Sequence, residues 1–379
     1  MYSVRNVAII GILMTSAVAA AQPTQPRDRV PAMPQSLRGF VDQLYSPDPV
    51  QRAEAACQLG RRHNDAAATI PVLLTMLHDD VLVRRIDCNM SDWMRRQANL
   101  SPETLKWMET SPAQEAAETL GEIGDAAVPG LIRGLQHADW RVRKFAAVGL
   151  GEAEPQLDRA DAVAALADRL NDSNANVRDQ SAWALGEIED AAAVPALAEA
   201  LQKDGERSVR LRAAWALGEI EHDSAVTALV ATLKDPDLAL KKQAVWALGE
   251  IESRLAVDGL VALLTDADVT VRKQAAWALG EIEDAAAVSG LTAALGQDSE
   301  VSVRREAAWA LGEIESRSAV EALIGALKDS SFEVRKTAAW ALGEIEDSSA
   351  LEALQAARYD VNVEVREAVA RAIRELRDR

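Results

Sequence analysis

The sequence predicts an all-α chain, an α-solenoid of stacked helix-turn-helix units, and three observations carry that expectation. The phrase Ala-Trp-Ala-Leu-Gly-Glu-Ile-Glu recurs almost unchanged six times, and its glycines (Gly186, Gly218, Gly249, Gly280, Gly312, Gly343) are spaced by 32, 31, 31, 32 and 31 residues. A fixed period of that length fits one helix-turn-helix unit per repeat. Only 4% of residues are aromatic while Ala and Leu dominate, which disfavours a sheet architecture. Within each repeat the apolar positions fall on one helical stripe. An array grows by stacking units, so 379 residues read as one continuous array rather than several globular domains.

Residues 1–21 differ from the rest. Arg5 precedes an apolar run from Val7 to Ala21, with small residues at Ala17, Ala19 and Ala21. This pattern predicts a cleaved secretory signal peptide, and hence a periplasmic or secreted protein. The run is about 15 residues, short of the roughly 20 that span a bilayer, so no stable membrane insertion is expected after cleavage. Residues 22–35, with Pro23, Pro26, Pro31 and Pro34, read as an extended linker.

The solenoid is expected over 36–379. Ser36 to Tyr45 reads as a capping half-repeat, and the first full unit pairs a helix around Arg52 to Leu59 with one around Ile70 to Leu77. Leu59-Gly60 and Leu120-Gly121 lie 61 residues apart, which places an insertion of about 30 residues at 85–114. It contains Trp93 and Trp107, a candidate partner-specific site, with a thickened end cap as the alternative. Cys57 and Cys88, the only cysteines, fall on neighbouring helices beside it and are candidates for a disulfide in an oxidising compartment. At the far end the last copy, at about 361–379, holds Arg371 in its tryptophan slot and Arg374 in its glycine slot. Such a polar outer helix suits a terminal cap.

Counting from the repeat glycine as position 0, Val at −9, Ala at −5 and −2, Leu at −1 and Ile at +2 form the expected core stripe. Tryptophan at −3 (Trp183, Trp215, Trp246, Trp277, Trp309, Trp340) falls roughly opposite. With it lie position −7 (Lys242, Lys273, Arg305, Lys336) and the glutamate at +1 (Glu187, Glu219, Glu250, Glu281, Glu313, Glu344). The expectation is an exposed Trp/Glu ladder, each ring between a cation stem and a carboxylate. A mid-helix glycine costs roughly 1 kcal/mol, so its recurrence points to close approach of a neighbouring backbone. Arg at −8 (Arg178, Arg210, Arg272, Arg304, Arg335) is expected to reach the Asp at −14 of its own or an adjacent unit, as a structural ladder.

Val-Arg-x-x-Ala-Ala-x-Ala-Leu-Gly-Glu-Ile followed by Ala-Val-x-x-Leu resembles the short HEAT-like repeats of the phycobilisome-lyase type, and artificial repeat binders built on that consensus. The resemblance covers residues 45 to 379 apart from the insertion, and it implies a binding surface at −7, −6, −3 and +1. Deoxyhypusine hydroxylases resemble the same architecture but hold iron through His-Glu pairs. Here His63, His78, His137 and His222 are followed by Asn, Asp, Ala and Asp, so that metal motif is absent. A lyase-like or hydroxylase-like subunit is accordingly the weakest alternative. No catalytic residues, metal or cofactor are expected.

A net charge of −18 disfavours nucleic acid and anionic membranes as partners. The sequence therefore predicts a non-catalytic, exported protein-binding scaffold or adaptor, using the Trp/Glu ladder to hold a protein partner or an extended peptide segment. A glycan-binding envelope protein is the alternative, and packing of the rings on one another is the structural one.

Overall fold

A computed structural model describes residues 34–61, 66–84, 109–153 and 160–377. The expected signal segment, nearly all of the linker, His63, Cys88, Trp93 and Trp107 lie outside these residues. The chain divides into two compact units, one ending at Leu120 and one beginning at Gly121.

The first unit starts with α1 (Gln35–Gln43), α2 (Pro49–Gly60) and α3 (Ile70–Met76). Asp48 caps α2 by accepting from the Val50 N–H at 2.9 Å, with Pro49 in the first turn where its missing N–H costs nothing. Leu37, Leu44, Leu59, Leu73 and Met76 form the core. Arg52 lies fully buried among them and is held by four hydrogen bonds: Nε and Nη2 meet the two carboxylate oxygens of Asp79 at 2.6 and 3.1 Å, and Nη1 donates to the carbonyls of Ser46 and Pro47. Two short strands, β1 (Val83–Arg84) and β2 (Glu109–Thr110), pair antiparallel at the base of the insertion, a local exception to the all-α pattern. The next helix, α4 (Pro112–Ile123), begins within the bounds of about 85–114 expected for the insertion.

The second unit alternates short and long helices: α5 (Val128–Gly134), α6 (Trp140–Gly151), α7 (Ala160–Arg169), α8 (Ala175–Ile188), α9 (Val194–Lys203), α10 (Arg207–Glu219), α11 (Val226–Thr232), α12 (Leu238–Ile251), α13 (Val257–Leu263), α14 (Val269–Ile282), α15 (Val288–Gln297), α16 (Val301–Glu313), α17 (Val320–Ala326), α18 (Phe332–Glu344), α19 (Leu351–Ala357) and α20 (Val363–Glu375). Among the described residues no helix is long and apolar enough to cross a membrane. The even-numbered helices pack side by side into one layer, and the odd-numbered ones cover its back. Each even-numbered helix from α8 to α18 therefore has like helices on two flanks and a short helix behind it. That explains why burial exceeds the expected stripe: position −4 (Ala182, Ala214, Val245, Ala276, Ala308, Ala339) is sealed as completely as −5 and −2. Small alanines on three sides allow this close approach, and only the face carrying −7, −6, −3 and +1 remains open. At the last helix Val365, Val369, Ala372 and Ile373 are buried while Arg371 and Arg374 stand in solvent.

Candidate functional site

The open face of the long-helix layer is bounded by two rows of charge, one at each end of the helices. At the N-terminal end runs the arginine row. Arg178 places Nε and Nη2 on Asp204 of the following repeat, both within 2.8 Å, while Nη1 donates to the carbonyl of Asp172 in its own repeat. Arg143–Asp172, Arg272–Asp298, Arg304–Asp329 and Arg335–Asp360 repeat the bidentate arrangement, and Lys241–Asp266 supplies a single contact of 2.8 Å. Of the two partners expected for Arg at −8, the carboxylate is thus the adjacent unit's, and the own unit contributes only a carbonyl. One rung differs: Arg210 keeps the carbonyl of Asp204, but Arg207 takes the carboxylate, on Asp237, and holds its pKa down to about 2. Each rung aspartate also accepts a backbone N–H two residues on, as Asp298 does from Glu300 at 2.9 Å. Burial works against ionisation of Asp298, yet Arg272 and that N–H outweigh it and hold the carboxyl below the usual carboxylate range.

The tryptophans are half-buried rather than exposed, a correction with a specific cause. The ring edge of each fills the space left by the glycine of the preceding repeat. A Cβ on Gly151, Gly186, Gly218, Gly249, Gly280 or Gly312 would lie 2.6–2.8 Å from Cζ3 of Trp183, Trp215, Trp246, Trp277, Trp309 or Trp340 in turn. Backbone is close as well, with Ala310 Cα 3.1 Å from the same point on Gly280. Glycine and tryptophan are one lock shared between repeats, so the indole is both packing and surface. The −7 cations reach onward to the next helix: Lys242 to Asp268 at 3.3 Å, Lys273 to Glu306 at 3.9 Å and Lys336 to Glu364 at 2.7 Å. Over the rings themselves, Arg212 lies 5.6 Å from the Trp215 centroid.

The C-terminal end carries the glutamates. Glu187 and Glu344 are exposed, and Glu219, Glu250, Glu281 and Glu313 half-buried. Among the described residues none of these six forms an ion pair. Burial raises the pKa of Glu219, and Glu187, Glu189 and Glu250 raise it further. Glu281 and Glu313 are lifted first by burial and also by glutamates of adjacent repeats. Indole N–H donors on Trp215, Trp277 and Trp309 oppose the shift.

Beside them stands a second row that the helical wheel missed. Glu189, Glu221, Glu252, Glu283, Glu315 and Glu346, at +3, are exposed and adopt φ between 48° and 56°. Glycine is the usual residue for this left-handed helix end, and an L side chain there costs roughly 1–2 kcal/mol. The signal was present in the repeated Gly-Glu-Ile-Glu, but a 3.6-residue wheel has no place for a residue just past the helix end.

Between α16, α18 and α20 the face deepens into a groove of about 600 Å³ floored by Trp309, Trp340 and Ala368, with Lys336, Arg371 and Glu375 at its sides. It opens where the run of indoles stops.

Residues 102–171, 128–218, 163–237, 194–280, 226–301 and 288–374 match the family profile of HEAT repeats. The chain belongs to the HEAT-repeat family. Solved structures similar to this HEAT array include an engineered protein (23% identity over 90% of this chain and 99% of that one, TM-score 0.45). Others are the complex of CpcE and CpcF of phycocyanin lyase from Nostoc sp. PCC7120 (23%, 59% and 96%, TM-score 0.37) and a designed armadillo repeat protein in complex with peptide (KR)4 (26%, 48% and 99%, TM-score 0.40). No curated protein matches the sequence significantly.

In the HEAT array the described histidines serve local turns. His78 Nδ1 lies 2.6 Å from the Thr75 carbonyl, and His137 and His222 accept the N–H of Asp139 and Ser224. Among the described residues no three His, Cys, Asp or Glu side chains converge as metal ligands. Cys57 is buried in α2; its expected partner Cys88 and the insertion tryptophans Trp93 and Trp107 lie outside the described residues.

Proposed function

We propose that this HEAT-repeat protein is an exported, non-catalytic scaffold that holds a protein partner against its long-helix face. One observation carries the reading: the Trp/Gly lock leaves part of each indole on a face where, among the described residues, the +1 glutamates form no ion pair. Rigid aromatic surface beside unpaired charge is what a recognition surface needs, since aromatic anchors supply contact area and charge supplies orientation. The scattered histidines support a non-catalytic role, and the Arg5-led apolar run of residues 1–21 supports export.

Site-specific photocrosslinking tests the reading. A photoreactive side chain at Thr337, on the long-helix face, is expected to trap a protein partner in envelope extracts, whereas one at Asp258, in the short-helix layer, is not. Equal trapping at both, or retention of the protein on polysaccharide with no protein adduct, overturns it. Amino-terminal sequencing of the mature protein checks the export step, with cleavage after Ala19 or Ala21 expected.

A further inference from the structure

The arginine row has one displaced rung, and the displacement leaves charge over. In the intact rungs the arginine gives Nη1 to carbonyls of its own repeat, and Nε and Nη2 to the carboxylate of the next. Arg304 does so with Asp329, 25 residues on, and Arg335 with Asp360. Arg210 keeps the first half of that pattern, with Nη1 2.9 and 3.4 Å from the carbonyls of Asp204 and Gly205. Asp235 follows it at the matching separation of 25 residues and accepts the Asp237 N–H at 2.7 Å, as a rung aspartate should. Yet the two do not meet, and among the described residues neither forms an ion pair. The cause is local. α10 begins with Arg207, where α12, α14, α16 and α18 begin with Leu238, Val269, Val301 and Phe332. Arg207 carries the link between repeats itself, its Nη2 3.0 Å from one carboxylate oxygen of Asp237 and its Nε on the other.

Arg210 and Asp235 both line a cavity of about 400 Å³, made by the ends of α9 and α11 and the first turn of α10. Other polar groups there are already engaged: Asp204 by Arg178, and the Thr232 hydroxyl by the Ala228 carbonyl at 2.9 Å. Lys234, also on the lining, is exposed and forms no ion pair among the described residues. The cavity therefore holds two uncommitted cations and one uncommitted carboxylate. A net positive site of this kind stands out in a chain with net charge −18.

We propose that this cavity binds an acidic α-amino acid. Its α-carboxylate takes Nε and Nη2 of Arg210, the place that an aspartate fills in the intact rungs. Its ammonium meets Asp235, and its side-chain carboxylate meets Lys234. The guanidinium suits the first role because its fork matches a carboxylate bidentately and two backbone carbonyls already hold it in position. Lysine suits the last, since a compact charge on a flexible stem follows a side chain of variable reach. A neutral amino acid would leave Lys234 unmatched, and a dicarboxylate without an amine would set a carboxylate against Asp235. The site shares none of the −7, −6, −3 and +1 positions of the long-helix face, so it stands independently of the protein-binding reading.

The test is isothermal titration calorimetry on the full mature chain, with L-glutamate, L-alanine and glutarate as probes. Glutamate is expected to bind about tenfold or more tightly than either of the others, each of which lacks one of its three charges. Arg210→Ala and Asp235→Asn are each expected to weaken glutamate about tenfold or more. Lys234→Ala changes an exposed side chain beyond the end of α11, so it is expected to leave Tm unchanged while bringing glutamate down to the affinity of alanine. That variant keeps the test open if loss of Arg210 or Asp235 unfolds the chain. No heat of binding with glutamate means that Arg210 and Asp235 close the rung themselves, and it overturns the proposal. Equal affinity for the three probes overturns it too, as does unaltered glutamate binding by Lys234→Ala and Asp235→Asn. None of these outcomes touches the protein-binding face, which crosslinking at Thr337 tests alone.

Discussion

The two ends of the long helices solve the problem of buried charge in opposite ways. At the N-terminal end, in rungs such as Arg304–Asp329, guanidinium and carboxylate meet in two parallel hydrogen bonds, and the leftover donor takes a backbone carbonyl. At the C-terminal end Glu219, Glu281 and Glu313 face other glutamates and receive only an indole N–H. The first arrangement is complete without a partner and stitches repeat to repeat. The second is left open by the fold. Charge that is satisfied internally reads as structure, and the +1 glutamates, which form no ion pair among the described residues, read as surface reserved for something else.

Breaking the satisfied ion pairs should cost most. Arg52→Ala strands the fully buried Asp79 and two carbonyls, with an expected loss of about 3–5 kcal/mol. In the partly solvated rung, Arg304→Ala should cost about 1–3 kcal/mol. Urea denaturation of both variants measures the difference.

The lock between the rows comes next. Gly280→Ala gains helix propensity of about 1 kcal/mol, but its Cβ meets Trp309 Cζ3 at 2.6 Å and Ala310 Cα at 3.1 Å, so a net loss of about 1–3 kcal/mol is expected. Gly296→Ala in α15, with nothing within 4 Å, is the control and should stabilise by up to about 1 kcal/mol. Should both substitutions stabilise, the lock is not tight.

At the open row the sign reverses. Glu283→Gly, at φ 52°, should raise stability by about 0.5–1 kcal/mol, read as an increase in Tm.

Acid titration sets the two rows against each other with the smallest effect. The pKa values of Glu219, Glu281 and Glu313 are raised, so the folded chain binds protons there before the unfolded chain does. Stability rises as pH falls through those raised values towards about 4.5. Those of Asp172, Asp204, Asp298 and Asp329 are lowered, so their contribution persists above about pH 4 and is lost only as pH falls through their folded values. A Tm profile with a shallow maximum between about pH 4 and 5 is expected. A monotonic fall from pH 7 would mean that the glutamates are not mutually repelling.

Much of the core was legible in the sequence, because a fixed period and a 3.6-residue wheel suffice to sort Val, Ala, Leu and Ile inward. Close approach at the repeat glycine was legible too, since glycine inside a helix needs a reason. The wheel failed where neighbours decide. It treats a helix as having one buried side, whereas a helix between two like helices buries three, so position −4 and half of each indole are covered. It also failed past the helix end, where the +3 glutamates turn left-handed beside the +1 row.

The sequence alone determined the all-α class, the unit length, the core positions and the residue types available to the open face, because these depend on local periodicity and composition. Only the tertiary structure decided which repeat each arginine serves, that tryptophan locks onto the glycine of the repeat before it, and that the glutamates gather at one edge of the layer. Those depend on distances between residues about 30 positions apart in the chain, which stacking alone brings together.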